Sequence, residues 1–145
     1  MRKIYSFLLC GFLLSFGLAA QDTSTPVGLW KTIDDDTGET KSIVEIYEQN
    51  GKYYGRIVEI LTANKDARCT KCSGKQKDQP VKGLVIIKDL EQDGDEWNGG
   101  TILDPQKGSE YRLVVWYEED PDKIFIRGKH WTGLYRTQTW LRKKS

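Results

Sequence analysis

The strongest constraint on this chain is a rhythm. Between residues 29 and 142, apolar and polar side chains alternate in short runs, and turn-forming residues separate the runs. Alternation with period two sends successive side chains to opposite faces, so each run reads as a β-strand with one apolar face. The runs are "LWKTID" (29–34), "KSIVEIY" (41–47), "KYYGRIVEIL" (52–61), "VKGLVIIKDL" (81–90), "EWNGGTIL" (96–103), "EYRLVVWY" (110–117), "KIFIRGKH" (123–130) and "LYRTQTWLR" (134–142). "DDTGE", Asn50-Gly51, "DGD", "DPQKG" and "EDPD" supply turns between them, and 62–80 is a long connector. Only 81–90 also tolerates a helical reading. About eight strands at this spacing predict an antiparallel sandwich or barrel.

Closure decides between the two. An up-and-down order leaves two raw sheet edges unless the first and last strands pair. Both end runs contain Trp and Thr, and neither contains the Pro that blunts an edge. The expected fold is therefore all-β, an antiparallel up-and-down barrel of about eight strands, just wide enough inside for side chains or one small ligand. Antiparallel pairing of the end strands brings the start of one to the end of the other. Trp30 then lies near Trp140 and Arg142, while Arg136, six residues earlier, is about 20 Å away at ~3.3 Å per residue. A guanidinium over an indole contributes about 0.5–2 kcal/mol. Gly28, Trp30 and Arg142 are thus expected to close the barrel, and Asp104, before Pro105, to cap its own turn.

The first residues obey a different pattern. "MRK" is basic, Ile4 to Leu18 is apolar apart from Tyr5, two serines and two glycines, and Ala19-Ala20 follows. This predicts a secretory signal peptide at 1–20, cut after Ala20 or Ala19 and taking Cys10 with it. A membrane anchor is the alternative, but a spanning helix needs about 20 apolar residues. Residues 21–145 form one domain of 125 residues with 20 basic and 21 acidic side chains, a net charge near −1. That balance excludes a nucleic-acid protein, which needs a basic excess or stripe. The expected location is the periplasm or the extracellular space, with no membrane span in the mature chain. The expected partner is a small-molecule ligand or an envelope protein.

Few residues carry chemistry. Cys69-x-x-Cys72 predicts a disulfide in an exported chain; a redox role needs a helix start that "SGKQKDQP" does not offer. Zinc needs four ligands, and His130 is the single histidine, so no metal is expected. The acid run 34–39 lacks calcium-loop spacing and reads as a hairpin turn with Gly38 at positive φ. No serine stands in a nucleophile elbow, so no catalytic residue and no cofactor are predicted. Charge inside strands stands out instead, at Arg56, Arg112, Arg127 and Arg136. One placement is outside, stems along the sheet and heads in water. The other puts Arg127, Arg136 and Gln138 in the lumen, facing Glu45, Glu59 or an anionic ligand, because a buried charge needs a partner. Trp30, Tyr54, Tyr111, Trp116 and Trp140 then supply the aromatic lining of a mostly apolar site. The expected function is binding of a small apolar or anionic ligand. The alternative is an envelope interaction or structural protein with a filled core, acting through the connector.

The motifs also add up to a resemblance. Gly28-Leu29-Trp30, Gly55-Arg56-Ile57, Cys69-x-x-Cys72, Gly99-Gly100-Thr101-Ile102-Leu103-Asp104-Pro105 with Gly108 and Tyr111, Ile126-Arg127-Gly128, and Arg136-Thr137-Gln138-Thr139-Trp140 occur in that order. The chain resembles the small exported bacterial proteins of domain-of-unknown-function family 2147. The resemblance spans nearly the whole mature chain and is most specific at "RTQTW". It implies a bacterial envelope protein with a lipocalin-like barrel, and no established activity.

Overall fold

Each apolar–polar run becomes a strand in the computed structural model, which describes residues 25–145. The expected signal peptide lies outside the described residues. The strands are β1 (Gly28–Ile33), β2 (Thr40–Gln49), β3 (Lys52–Ile60), β4 (Val85–Asp93), β5 (Glu96–Asp104), β6 (Ser109–Tyr117), β7 (Lys123–Lys129) and β8 (Tyr135–Arg142). They pair antiparallel in sequence order and close into an eight-strand barrel. The tight hairpin at Asn50-Gly51 has φ of 53° and 78°, the positive values its turn type demands. One expected boundary moves. Val81–Leu84 belongs to the connector rather than to β4, because Val81 N–H donates to the Ala67 carbonyl and Gly83 turns the chain at φ 91°.

The seam between β1 and β8 closes as the strand order requires, with Trp30 opposite Arg142 and Lys31 opposite Leu141. It lies at one end of the barrel, the closed end. There Pro26 is fully buried, Trp30 Nε1 donates to its carbonyl at 2.9 Å, and the Tyr117 hydroxyl donates to the Thr25 carbonyl at 3.1 Å. The Arg142 guanidinium carbon sits 4.3 Å from the Trp30 ring centroid. Its Nη2 donates to the Tyr117 hydroxyl at 3.0 Å and to the Pro121 carbonyl at 3.1 Å. Gly28 is needed beside this group: its φ is +146°, and a Cβ there would stand 2.9 Å from Arg142 Nη1.

Inside, Trp30, Val44, Ile46, Trp97, Leu113, Val115, Ile124, Ile126 and Trp140 are all almost fully buried, so side chains fill the closed half. Outside, Glu45 pairs with Arg56 at 2.7 Å and Lys88 with Glu110 at 3.7 Å. An apolar interior and a charged wall are the reverse of a membrane-spanning barrel. Among the described residues, no helix is long and apolar enough to cross a membrane.

The connector 61–84 packs onto β4 and β5. Ile87 and Ile102 face each other on the inner wall, so alternation points Ile86 and Leu103 outward. Both are nevertheless buried, in one cluster with Cys69, Cys72 and Leu84. Cys69 and Cys72 form the expected disulfide, with Cα atoms 5.3 Å apart. The bond staples only a four-residue turn. What holds the connector is its own pairing of Arg68 with Pro80 and its contact with Gly108, where any Cβ would overlap the Lys71 carbonyl.

Candidate functional site

The other end of the barrel is the mouth, ringed by the β1–β2, β5–β6 and β7–β8 turns and the connector. On β8, Trp140 faces inward and is buried, so alternation also turns Gln138 and Arg136 inward, one and two steps nearer the mouth. Both reach Asp35 in the β1–β2 turn. Arg136 Nε donates to Asp35 Oδ2 at 2.6 Å, with Nη2 in close contact with the same oxygen, and Gln138 Nε2 donates to it at 3.3 Å. Gln138 Oε1 in turn accepts from Trp140 Nε1 at 3.3 Å. One carboxylate oxygen thus anchors a chain of polar groups that runs along the inner wall to the buried Trp140. Thr32 and Ser42 share a hydroxyl hydrogen bond of 2.8 Å on the same inner wall.

Aromatic groups flank this network. Tyr111 follows the inward parity of Leu113 and Val115 and lies against Gly128, where a Cβ would stand 3.2 Å from its own. Gly128 is the register partner of Arg136, which places Tyr111 and Arg136 on either side of it. The His130 ring centroid is 6.1 Å from that of Tyr111, and His130 Nδ1 lies 2.9 Å from the Thr132 hydroxyl.

The remaining candidates separate. Trp30 and Trp140 are core, with no more than 2% of their surface exposed, so they belong to the packing of the barrel rather than to the lining of a ligand cavity. Arg127, Trp116 and Tyr54 are not in the lumen, which corrects the expectation for all three. Ile124 and Ile126 point in, so Arg127 points out, its Nε donating to the Thr137 hydroxyl at 2.8 Å. Its guanidinium carbon lies 4.9 Å from the Trp116 ring and 4.5 Å from the Tyr135 ring. Trp116 stacks on Phe125 at 5.4 Å on that wall. Tyr53 takes the inner position on β3, which leaves Tyr54 outside, stacked on Tyr47 at 5.8 Å and donating to Asp89 at 3.2 Å. Burial and the Asp89 carboxylate raise the Tyr54 hydroxyl pKa above its ordinary value.

The carboxylate partner also differs from expectation. Glu45 faces outward to Arg56 and Glu59 lies near Lys143 at 3.8 Å, so neither reaches the lumen. Asp35 takes that place. The seam register carried its signal: counting from Trp30 opposite Arg142, the residues opposite Arg136 fall in the acid run 34–36. That run forms the expected turn, with Gly38 at φ 74° and Asp34 Oδ1 accepting from the Asp36 and Thr37 amides at 3.0 and 2.9 Å. Asp104 likewise caps its turn, its Oδ1 accepting from the Gln106 amide at 2.9 Å.

The architecture is shared with a solved protein. Protein HP1028 from Helicobacter pylori, described as belonging to the lipocalin family, is 22% identical and superposes with a TM-score of 0.71 over 82% of this chain and 83% of that one. At that identity the likeness is one of fold. No curated protein matches the chain in sequence. The family model described as "Uncharacterized protein conserved in bacteria (DUF2147)" matches residues 28–142, from the glycine before Trp30 to the arginine that covers it. The match takes in every strand of the barrel, and the chain belongs to that bacterial family.

Proposed function

We propose that the protein is exported after loss of residues 1–20 and that its 21–145 barrel binds a small apolar or anionic ligand at the mouth. The observation that carries this is the meeting of Arg136 and Gln138 at one oxygen of Asp35, on the inner wall above Trp140. The Arg136 and Asp35 side chains are 56% and 34% exposed. An ion pair so open to water is worth about 0–1 kcal/mol, so an incoming anion displaces Asp35 at small cost. Tyr111 and His130 offer ring faces to the apolar part of such a ligand. The filled closed half limits the ligand to the outer half of the barrel. The Cys69–Cys72 disulfide fits an oxidising compartment.

The test is to isolate the protein from its producing cell and analyse it by native mass spectrometry and organic extraction. A stoichiometric small molecule is expected, absent when Arg136→Ala and Gln138→Ala are combined. Asp35→Asn, which frees the guanidinium, should strengthen retention of an anionic ligand. A bare mass, with no compound raising the unfolding midpoint, would falsify the reading. The alternative, an envelope interaction or structural protein acting through 62–80, draws on the packed core, and cross-linking in the envelope tests it.

A further inference from the structure

A row of rings leads away from the polar network of the mouth. Ring centroids step from Tyr111 to His130 at 6.1 Å and from His130 to Trp131 at 5.4 Å, with planes tilted by 53° and 41°. The row starts on the inner wall beside Gly128 and ends on the β7–β8 turn, where Trp131 is 83% exposed. That turn is tied. The His130 amide donates to the Leu134 carbonyl at 2.7 Å and the Gly133 amide to the His130 carbonyl at 3.0 Å. The Thr132 hydroxyl, 2.9 Å from His130 Nδ1, holds the imidazole ring in place. At the inner end the network keeps unused bonding capacity. Arg136 and Gln138 both meet Asp35 at Oδ2, while among the described residues Asp35 Oδ1 and Arg136 Nη1 stand in no hydrogen bond. Charge over the wider mouth is balanced, because Asp34, Asp35, Asp36 and Glu39 of the β1–β2 turn offset the basic connector. No net field draws in a strongly charged ligand, so the local groups select it.

We propose that the ligand of the mouth is an acidic saccharide, a short chain of sugar rings bearing one carboxylate. The carboxylate takes the place of Asp35 on Arg136, and the sugar rings lie along Tyr111, His130 and Trp131. This rests on the ligand-binding reading of the mouth and narrows it to one chemical class. Three observations select the class. A hydrocarbon chain gains by leaving water, and a ring as open as Trp131 leaves one side of such a chain wet. A sugar ring needs no enclosure, since its C–H face packs on an indole while its hydroxyls stay hydrated. The ring planes also turn from one to the next. A rigid planar acid meets only one of them, whereas sugar rings joined by rotatable bonds meet each in turn. Lastly, the network mixes donors with acceptors, and hydroxyl groups are both. Asp35, once off Arg136, accepts from them, and the Gln138 amide offers one acceptor and two donors. A single guanidinium matches one carboxylate rather than a doubly charged phosphate.

The test is calorimetric titration of the dialysed protein, isolated from its producing cell, with trigalacturonic acid, maltotriose and decanoate. The acidic trisaccharide should bind about tenfold tighter than the neutral one, and decanoate should not compete with it. Arg136→Ala should erase the difference between the two trisaccharides. Trp131→Ala should weaken both by roughly fivefold, while moving the unfolding midpoint by no more than about 2 °C. The change in tryptophan fluorescence on binding should vanish in Trp131→Phe, because the other four tryptophans lie in the barrel strands. The proposal is overturned if the acidic trisaccharide does not bind, or if maltotriose or decanoate binds as tightly. It is equally overturned if Trp131→Ala leaves the titration unchanged and alters only self-association. Decanoate binding without saccharide binding removes this proposal and leaves the ligand-binding reading of the mouth standing. A protein that takes up none of the three probes and yields no extracted compound removes both.

Discussion

Arg142 shows how one side chain can tie four parts of a barrel together. It covers Trp30 on β1, donates to the Tyr117 hydroxyl on β6 and to the Pro121 carbonyl after it, and belongs itself to β8. Arg142→Ala removes a cation–π contact and hydrogen bonds from a site where the side chain is only 17% exposed. The loss should be about 1–3 kcal/mol, lowering the thermal midpoint by roughly 4–10 °C; Arg142→Lys should recover little of it, since an ammonium cannot cover the indole and reach both oxygens. This contact was legible in the sequence because strand pairing alone opposes Trp30 and Arg142. Arg127 was not. Its neighbours Ile126 and Gly128 are both compatible with either face, and only the burial of Ile124 and Ile126 decides that Arg127 points to water. Trp116 and Tyr54 failed for the same reason: an aromatic ring suits a lumen and a stacked outer wall equally well.

At the scale of the element, the β1–β2 turn joins folding to the candidate site. The Thr37 and Asp36 amides, helped by the Lys41 ammonium, hold the Asp34 carboxyl below its ordinary value. A carboxyl depressed on folding adds stability above its unfolded pKa and loses it as pH falls through the folded value. Asp34→Asn should therefore be less stable than the parent near neutrality, with the gap closing below about pH 4 in urea titrations. The connector yields a second prediction. Gly108→Ala would drive a methyl group into the Lys71 carbonyl, so proteolysis within 61–84 should speed up more than the global midpoint falls. Strand positions were legible because period and turn chemistry agree, as at Asn50-Gly51. The start of β4 was not, because Val81-Lys82-Gly83-Leu84 alternates like a strand while its amides serve the connector.

Across the whole molecule, the tryptophans divide the work. Trp97 and Trp140 are buried at the closed half, and cutting either to Ala should cost about 3–5 kcal/mol in denaturant unfolding. Trp131→Ala should change stability by no more than about 0.5 kcal/mol, since that ring sits in the open. The barrel itself was legible from two unblunted end strands, which only pairing with each other could satisfy. The site was half legible: Arg136 and Gln138 stand where an inward β8 face puts them, but their carboxylate sits in a turn, where period carries no information. The seam has one more consequence. Only Trp30 and Lys31 of β1 stand in ladder register with β8, and towards the mouth the two strands are held by the Asp35 side chain. Those partners are separated by nearly the whole domain in sequence, so their encounter carries the largest loop-closure entropy in the fold. The hairpins from β2 to β7 can form early, from neighbours, while the ends of the chain are still searching. Refolding should accordingly be slow, in milliseconds to seconds, and substitutions at Trp30 or Arg142 should speed unfolding while leaving the refolding rate nearly unchanged.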